Sequence, residues 1–148
     1  SAAVMRPDLI NELVANFGSQ CIIVAIDARN VEGVSHVYTH GGTRSTPIKS
    51  LEWAQDVTQR GAGEILLTSM DRDGTKLGYD IALTKEISEN VTIPVIASGG
   101  GGKNEHFLDI FALGCADAAL AASIFHFKEI EIKDLKRYLS LSDILIRL

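Results

Sequence analysis

The chain has 148 residues, 46% hydrophobic and 22% charged, enough for one globular domain or a piece of one and far from a disordered composition. Lys and Arg number 14 against 19 Asp and Glu, a formal charge of −5, which argues against broad binding to nucleic acid or an anionic membrane but leaves room for a local phosphate site. No apolar run reaches the about 18 residues of a membrane span, and the polar, Pro-bearing start does not read as a signal peptide.

In chain order, the first expected element is a helix over Pro7–Phe17, stopped by Gly18, which suits the left-handed position past a helix end. The start lacks an initiator Met, so the chain is expected to begin inside a longer gene. Cys21–Asp27 (CIIVAID) then reads as a strand. Asn30–Lys49 is an insertion whose HVYTHGGTRST core reads as a short hairpin or mobile loop around Gly41 and Gly42. Ser50–Arg60 carries Leu51, Ala54 and Val57 at helical spacing. Strand Glu64–Met70, helix Asp80–Asn90, strand Ile93–Gly99, helix Asn104–Leu113, strand Asp117–Ser123 and helix Glu129–Leu139 follow. The four strands are apolar runs without alternation, as expected of parallel strands covered on both faces. Regular strand–helix alternation predicts a parallel sheet with right-handed crossovers. The two distant cysteines, Cys21 and Cys115, lie in apolar runs and read as buried free thiols of a cytoplasmic protein.

In such folds the functional groups gather where strands end. The first strand ends in Asp27, which reads either as a general acid/base or as a turn-capping carboxylate. The second ends in TSMDRDGT (Thr68–Thr75), either a tight turn with Gly74 at positive φ or a polar site. A calcium loop does not fit, because Ala82 occupies the position that needs a bidentate Glu. The third ends in Ser98 followed by four glycines and Lys103, ahead of a helix. Glycine amides and a helix N-terminus together suit a phosphate. The pattern is neither a Walker loop nor GxGxxG, since Asn104 follows Lys103. The fourth ends in AASIFHF, where Ser123 opens a short helix facing the same anion or acts as an ordinary cap. His36 and His40 have HxxxH spacing but lack the Glu of a zinc-protease helix, so no metal and no cofactor is expected. Trp53 reads as core or interface, and Glu64 as a carboxylate in need of a partner if enclosed.

Four motifs in order, FGSQCIIVAIDAR, RGAGEILLTSMDRDGTKLGYD, PVIASGGGGKNEHF and DAALAASIFHF, make the chain resemble the C-terminal half of the cyclase subunits of imidazole glycerol phosphate synthase. The resemblance implies half of a (βα)8 TIM barrel, its fifth to eighth strands with helices outside, as a single half-barrel domain over residues 1–148. It implies ammonia-dependent imidazole ring closure in histidine biosynthesis on a bis-phosphorylated nucleotide, with ammonia delivered by a glutaminase partner. Residue by residue, Asp27 resembles the catalytic acid/base. Thr68, Asp73 and Gly74 match substrate-contacting positions. Ser98, Gly99, Gly100, Ala122 and Ser123 match the phosphate site. Glu64 matches the ammonia gate at the opposite end. Gly101 stands where the family usually has Ala. A second catalytic Asp and a loop Lys have no counterpart, so catalysis by the chain alone is not expected. A four-strand half barrel with two open edges is expected to pair with a second copy or with an N-terminal half barrel. A non-catalytic phosphate-binding half barrel, and half of the related phosphoribosyl-formimino isomerase, are the alternatives.

Overall fold

The computed structural model describes residues 1–147. Helices α1 (Ala2–Met5) and α2 (Asp8–Phe17) lead into strand β1 (Ile23–Val31). Gly18 closes α2 with φ 83, as its place in the sequence predicts. Strands β2 (Val34–Thr39) and β3 (Arg44–Lys49) follow, then α3 (Ser50–Gln59), β4 (Glu64–Ser69), α4 (Ile81–Ser88), β5 (Val95–Ser98), α5 (Asn104–Ala112), β6 (Ala118–Leu120), α6 (Ser123–His126) and α7 (Ile132–Leu141).

Among the described residues, six strands form one sheet in the order β3-β2-β1-β4-β5-β6. The four expected strands are parallel neighbours: β1 pairs β4, β4 pairs β5, and β5 pairs β6. Of the two readings of the insertion, the structure has the hairpin around Gly41 and Gly42, β2 antiparallel to β3, and not the mobile loop. The hairpin adds two antiparallel strands, because β1 runs four residues past Asp27 and β2 folds back along it, Asp27 opposite Tyr38 and Val31 opposite Val34. One edge expected to be open is thereby covered along Asp27–Val31, while residues 23–26 of β1 pair with no strand on that side among the described residues. Pro47 lies in β3 at the new edge, where a residue without an N–H costs no ladder bond.

The helices cover one face of the sheet. Val24, Ile26 and Ala28 of β1, Ile65 and Leu67 of β4, and Val95 and Ala97 of β5 are buried there. Ile10, Trp53, Val57, Leu83 and Ile87 close over the first part of this face, and Phe107, Ile110, Ile124, Leu135 and Leu139 over the second. The other face is open. Alternate residues of the same strands point to it, including Ile23, 54% exposed, and Leu120, 42% exposed. Apolar runs that predict two covered faces are here covered on one.

The cysteines also depart from expectation, since both are free and exposed. Cys21 sits in a 3₁₀ turn before β1, and Cys115 in the turn before β6 with φ 54. Each apolar run extends beyond its strand, and the cysteine falls in the overhang. Among the described residues no helix is long and apolar enough to cross a membrane.

Candidate functional site

Register places the polar strand ends side by side. Asp27 is opposite Tyr38 on one flank and Thr68 on the other. Thr68 is opposite Ser98, and Ser98 opposite Leu120. Residues in register share a face, so Tyr38, Asp27, Thr68, Ser98 and Leu120 form one row across the open face at the C-terminal ends of the parallel strands. Asp27, Thr68 and Ser98 are half-buried. Beyond the row, Arg29 stacks on the Tyr38 ring at 5.1 Å and lies 3.9 Å from Asp71. Asp71 in turn accepts a 2.8 Å hydrogen bond from the Asn30 amide, which ties the β4–α4 connection to the end of β1.

A pocket of about 210 Å³ opens beside this row. Asp73, Gly74, Ser98, Gly99, Gly100, Ala122 and Ser123 line it, as do Lys76, Gly101, Leu120 and Ala121. Seven of the residues singled out in the sequence thus meet in one cavity. Asp27 and Thr68 lie outside its lining, on the adjoining row. Glu64 is the first residue of β4, at the opposite end of the strand, half-buried next to Ile23 and without an ion pair among the described residues.

The glycine run is held by close packing. A Cβ on Gly100 would collide with the Gly78 carbonyl, whose own amide donates to Gly100 O at 2.8 Å. A Cβ on Gly99 would lie 2.7 Å from Ser69 O, one on Gly101 2.5 Å from the Tyr79 hydroxyl, and one on Gly102 2.5 Å from Lys76 O. The β4–α4 connection therefore lies directly against the loop after β5, and side chains would force the two apart. Tyr79 runs between them and donates to Leu120 O at 3.0 Å. Burial pushes its phenol well above the usual range. The Gly102 amide donates to His106 Nδ1 at 3.1 Å. Among the described residues, the Gly100, Gly101 and Ser123 amides meet no protein acceptor. Ser123 begins α6, as expected. The cavity thus offers free amides, two hydroxyls and one ammonium to an anion, with the Asp73 carboxylate as its single acidic group.

Sequence reasoning missed Lys76 and Tyr79. Tyr79 is legible only once the glycines are seen to need a neighbour, and a lone loop lysine carries no spacing signal.

A family model described as histidine biosynthesis protein matches residues 1–131. The imidazole glycerol phosphate synthase subunit HisF of Cytophaga hutchinsonii is 60% identical over 140 residues, which cover 95% of this chain and 56% of that protein. The same subunit of Lachnoclostridium phytofermentans is 56% identical over 150 residues, covering 100% of this chain and 58% of its own length. That of Bacillus pumilus is 58% identical over 149 residues, covering 99% and 59%. The chain spans a little over half the length of these relatives.

Proposed function

The chain belongs to the histidine biosynthesis protein family, and from that premise we propose that it is the C-terminal half of an imidazole glycerol phosphate synthase cyclase barrel. Its four parallel strands are the family's fifth to eighth. The open face packs against the strands of an N-terminal half or, in their absence, against a second copy. The observation that carries the reading is the row Asp27–Thr68–Ser98 running into the 210 Å³ pocket. One phosphate of a bis-phosphorylated nucleotide seats on the amides of Gly100, Gly101 and Ser123. The reacting end then lies along the row, where Thr68 bonds it and Asp27 moves a proton during ring closure by ammonia. Asp73 and Gly74 border the same substrate. Glu64, at the far end of the strands, gates ammonia arriving from a glutaminase subunit. The names of the relatives favour the cyclase over the isomerase.

Ammonia-dependent cyclase turnover, measured with and without an added N-terminal half, tests the reading. Turnover is expected when both halves are present, with a loss of about 10²–10⁴-fold on Asp27→Asn. Absence of turnover under both conditions leaves a non-catalytic, phosphate-binding half barrel instead.

A further inference from the structure

Among the described residues, Lys76 is the single cationic side chain lining the pocket, and Asp73 the single anionic one. The Lys76 ammonium is already engaged. It donates to both carboxylate oxygens of Glu129, at 2.6 and 2.8 Å. Lys76 belongs to the connection after β4 and Glu129 to the connection between α6 and α7, so the pair joins two loops at the pocket.

Both arms are held by their backbones. Lys76 adopts φ 56, and Lys128, next to Glu129, adopts φ 53. Left-handed conformations at non-glycine residues carry strain and persist where the surroundings impose them. The Lys76 carbonyl and Cβ pack on Gly102, and the Glu129 amide donates to Ile124 O at 2.8 Å. Yet both side chains are about two-fifths exposed, and an ion pair so exposed contributes little stability. Stability alone is a weak reason for this arrangement.

Charge gives a better one. A phosphate monoester brings about −1.5 to −2 charges near neutral pH. The free amides of the glycine loop offer only partial positive charge, and Asp73 opposes the anion. A dianion therefore needs the Lys76 ammonium, which has three donors and a flexible four-carbon stem. We propose that Lys76 is a phosphate-binding residue of this pocket, and that Glu129 is the competing anion that holds its ammonium at the mouth until a dianion draws it in. The inference rests on the reading of the pocket as a phosphate site. In this arrangement Glu129 weakens phosphate binding twice, by occupying the lysine and by adding negative charge at the mouth. Removing each partner then changes affinity in opposite directions, which a purely structural strap would not do.

Inorganic phosphate and sulfate, the latter a dianion at every working pH, are titrated into the full chain, and the Gly100, Gly101 and Ser123 amide shifts are followed. Thermal unfolding of each variant is recorded alongside. Lys76→Met is expected to weaken binding about tenfold or more, in line with the loss of a charge-assisted hydrogen bond. Lys76→Arg should retain most of the affinity. Glu129→Gln is expected to tighten binding about threefold or more, and the double variant should bind more tightly than Lys76→Met, since the negative charge at the mouth is gone, but more weakly than the wild type. Glu129→Gln that binds no tighter than the wild type, or Lys76→Met that folds and binds as well as it, overturns the inference while the pocket reading stands. Absence of saturable binding to the wild type overturns both.

Discussion

The two faces of the sheet are built from the same strands and differ in nearly everything else. On β4, Ile65 and Leu67 point to the helices and are almost fully buried, whereas Glu64, Leu66 and Thr68 point to the open face and remain half-exposed. The covered face is apolar apart from Ser69 at its end, whose hydroxyl donates to Asp80, and its packing defines the fold. The open face is apolar in its middle, at Ala25, Leu66, Ile96 and Ala118, and mixed at the strand ends, with Glu64 beside Ile23 at one and Asp27, Thr68 and Ser98 beside Leu120 at the other. One face is thus covered by this chain's own helices, and the other is left open. A two-residue period assigns stability to one set of residues and chemistry to their immediate neighbours.

The largest expected effect tests this division within one strand. Ile65→Ala should cost about 3–4 kcal/mol of folding free energy, because the side chain is fully enclosed and the site cannot collapse around the void. Leu66→Ala, one residue on, should cost about 1 kcal/mol or less in dilute chain. Urea denaturation of both variants measures the difference. Repeating it across protein concentration sharpens the comparison. A Leu66→Ala penalty that grows with concentration shows the open face being covered by another copy.

Next in size is a contrast between glycines. Gly100 has φ 101 and no room for a Cβ, whereas Gly33 has φ 87 in the β1–β2 turn and nothing within 4 Å. Gly33→Ala should cost about 1–2 kcal/mol, the left-handed penalty alone. Gly100→Ala should cost about 3 kcal/mol or more, since the collision with the Gly78 carbonyl adds to the strain. It should also abolish sulfate-induced shifts in the loop. Equal penalties at the two positions would mean that the glycine run is not a packing device.

The parallel strands were legible because runs such as EILLTS are too apolar and too short for anything but a buried strand. Their lengths were less so. Asp117–Ser123 shrinks to Ala118–Leu120, since alanines fit strand and turn alike and only the pairing with β5 decides. The hairpin of the insertion was legible from Gly41 and Gly42, which sit in its turn, whereas the continuation of β1 past Asp27 to pair with it was not, because the polar run after Asp27 carries no strand signal until β2 lies against it. Asp27, Thr68 and Ser98 could be singled out from sequence because each stands at the polar end of an apolar run, although β1 continues past Asp27 to Val31. The reason for four glycines could not, because Gly78, Tyr79 and Lys76 press on them only in the folded chain.

A smaller effect concerns the seam between the site and the covered side. The buried Tyr79 hydroxyl bonds Leu120 O. Tyr79→Phe should cost about 1 kcal/mol, since the Leu120 carbonyl loses its donor, and leave the ring's contact with Phe107 in place. Unfolding free energies of the two proteins check this.

The smallest effect is a pH dependence that originates behind the glycine loop. His106 accepts the Gly102 amide at Nδ1, so its neutral form is the one that fits. Partial burial, and then the neighbouring Lys103, hold its pKa below the usual value near 6.5, while Asp109 and Glu105 pull weakly the other way. A depressed histidine pKa means that the unfolded chain takes up the proton first as pH falls. Stability is therefore complete above about pH 6.5 and declines as the pH drops from there toward the folded-state pKa. Once the ring is protonated, Nδ1 becomes a donor and the Gly102 bond is lost, so the end of the loop loosens over the same interval. Carboxylates titrate mostly below about pH 5, which leaves the window between pH 5 and 7 to the histidines. Denaturation at a series of pH values in that window should give a slope for the wild type that is reduced in His106→Asn, whose side-chain oxygen can accept the same amide without titrating. The Gly102 amide shift should move with pH in the wild type and stay fixed in the variant. If both proteins show the same slope and the same shift, His106 does not hold the loop.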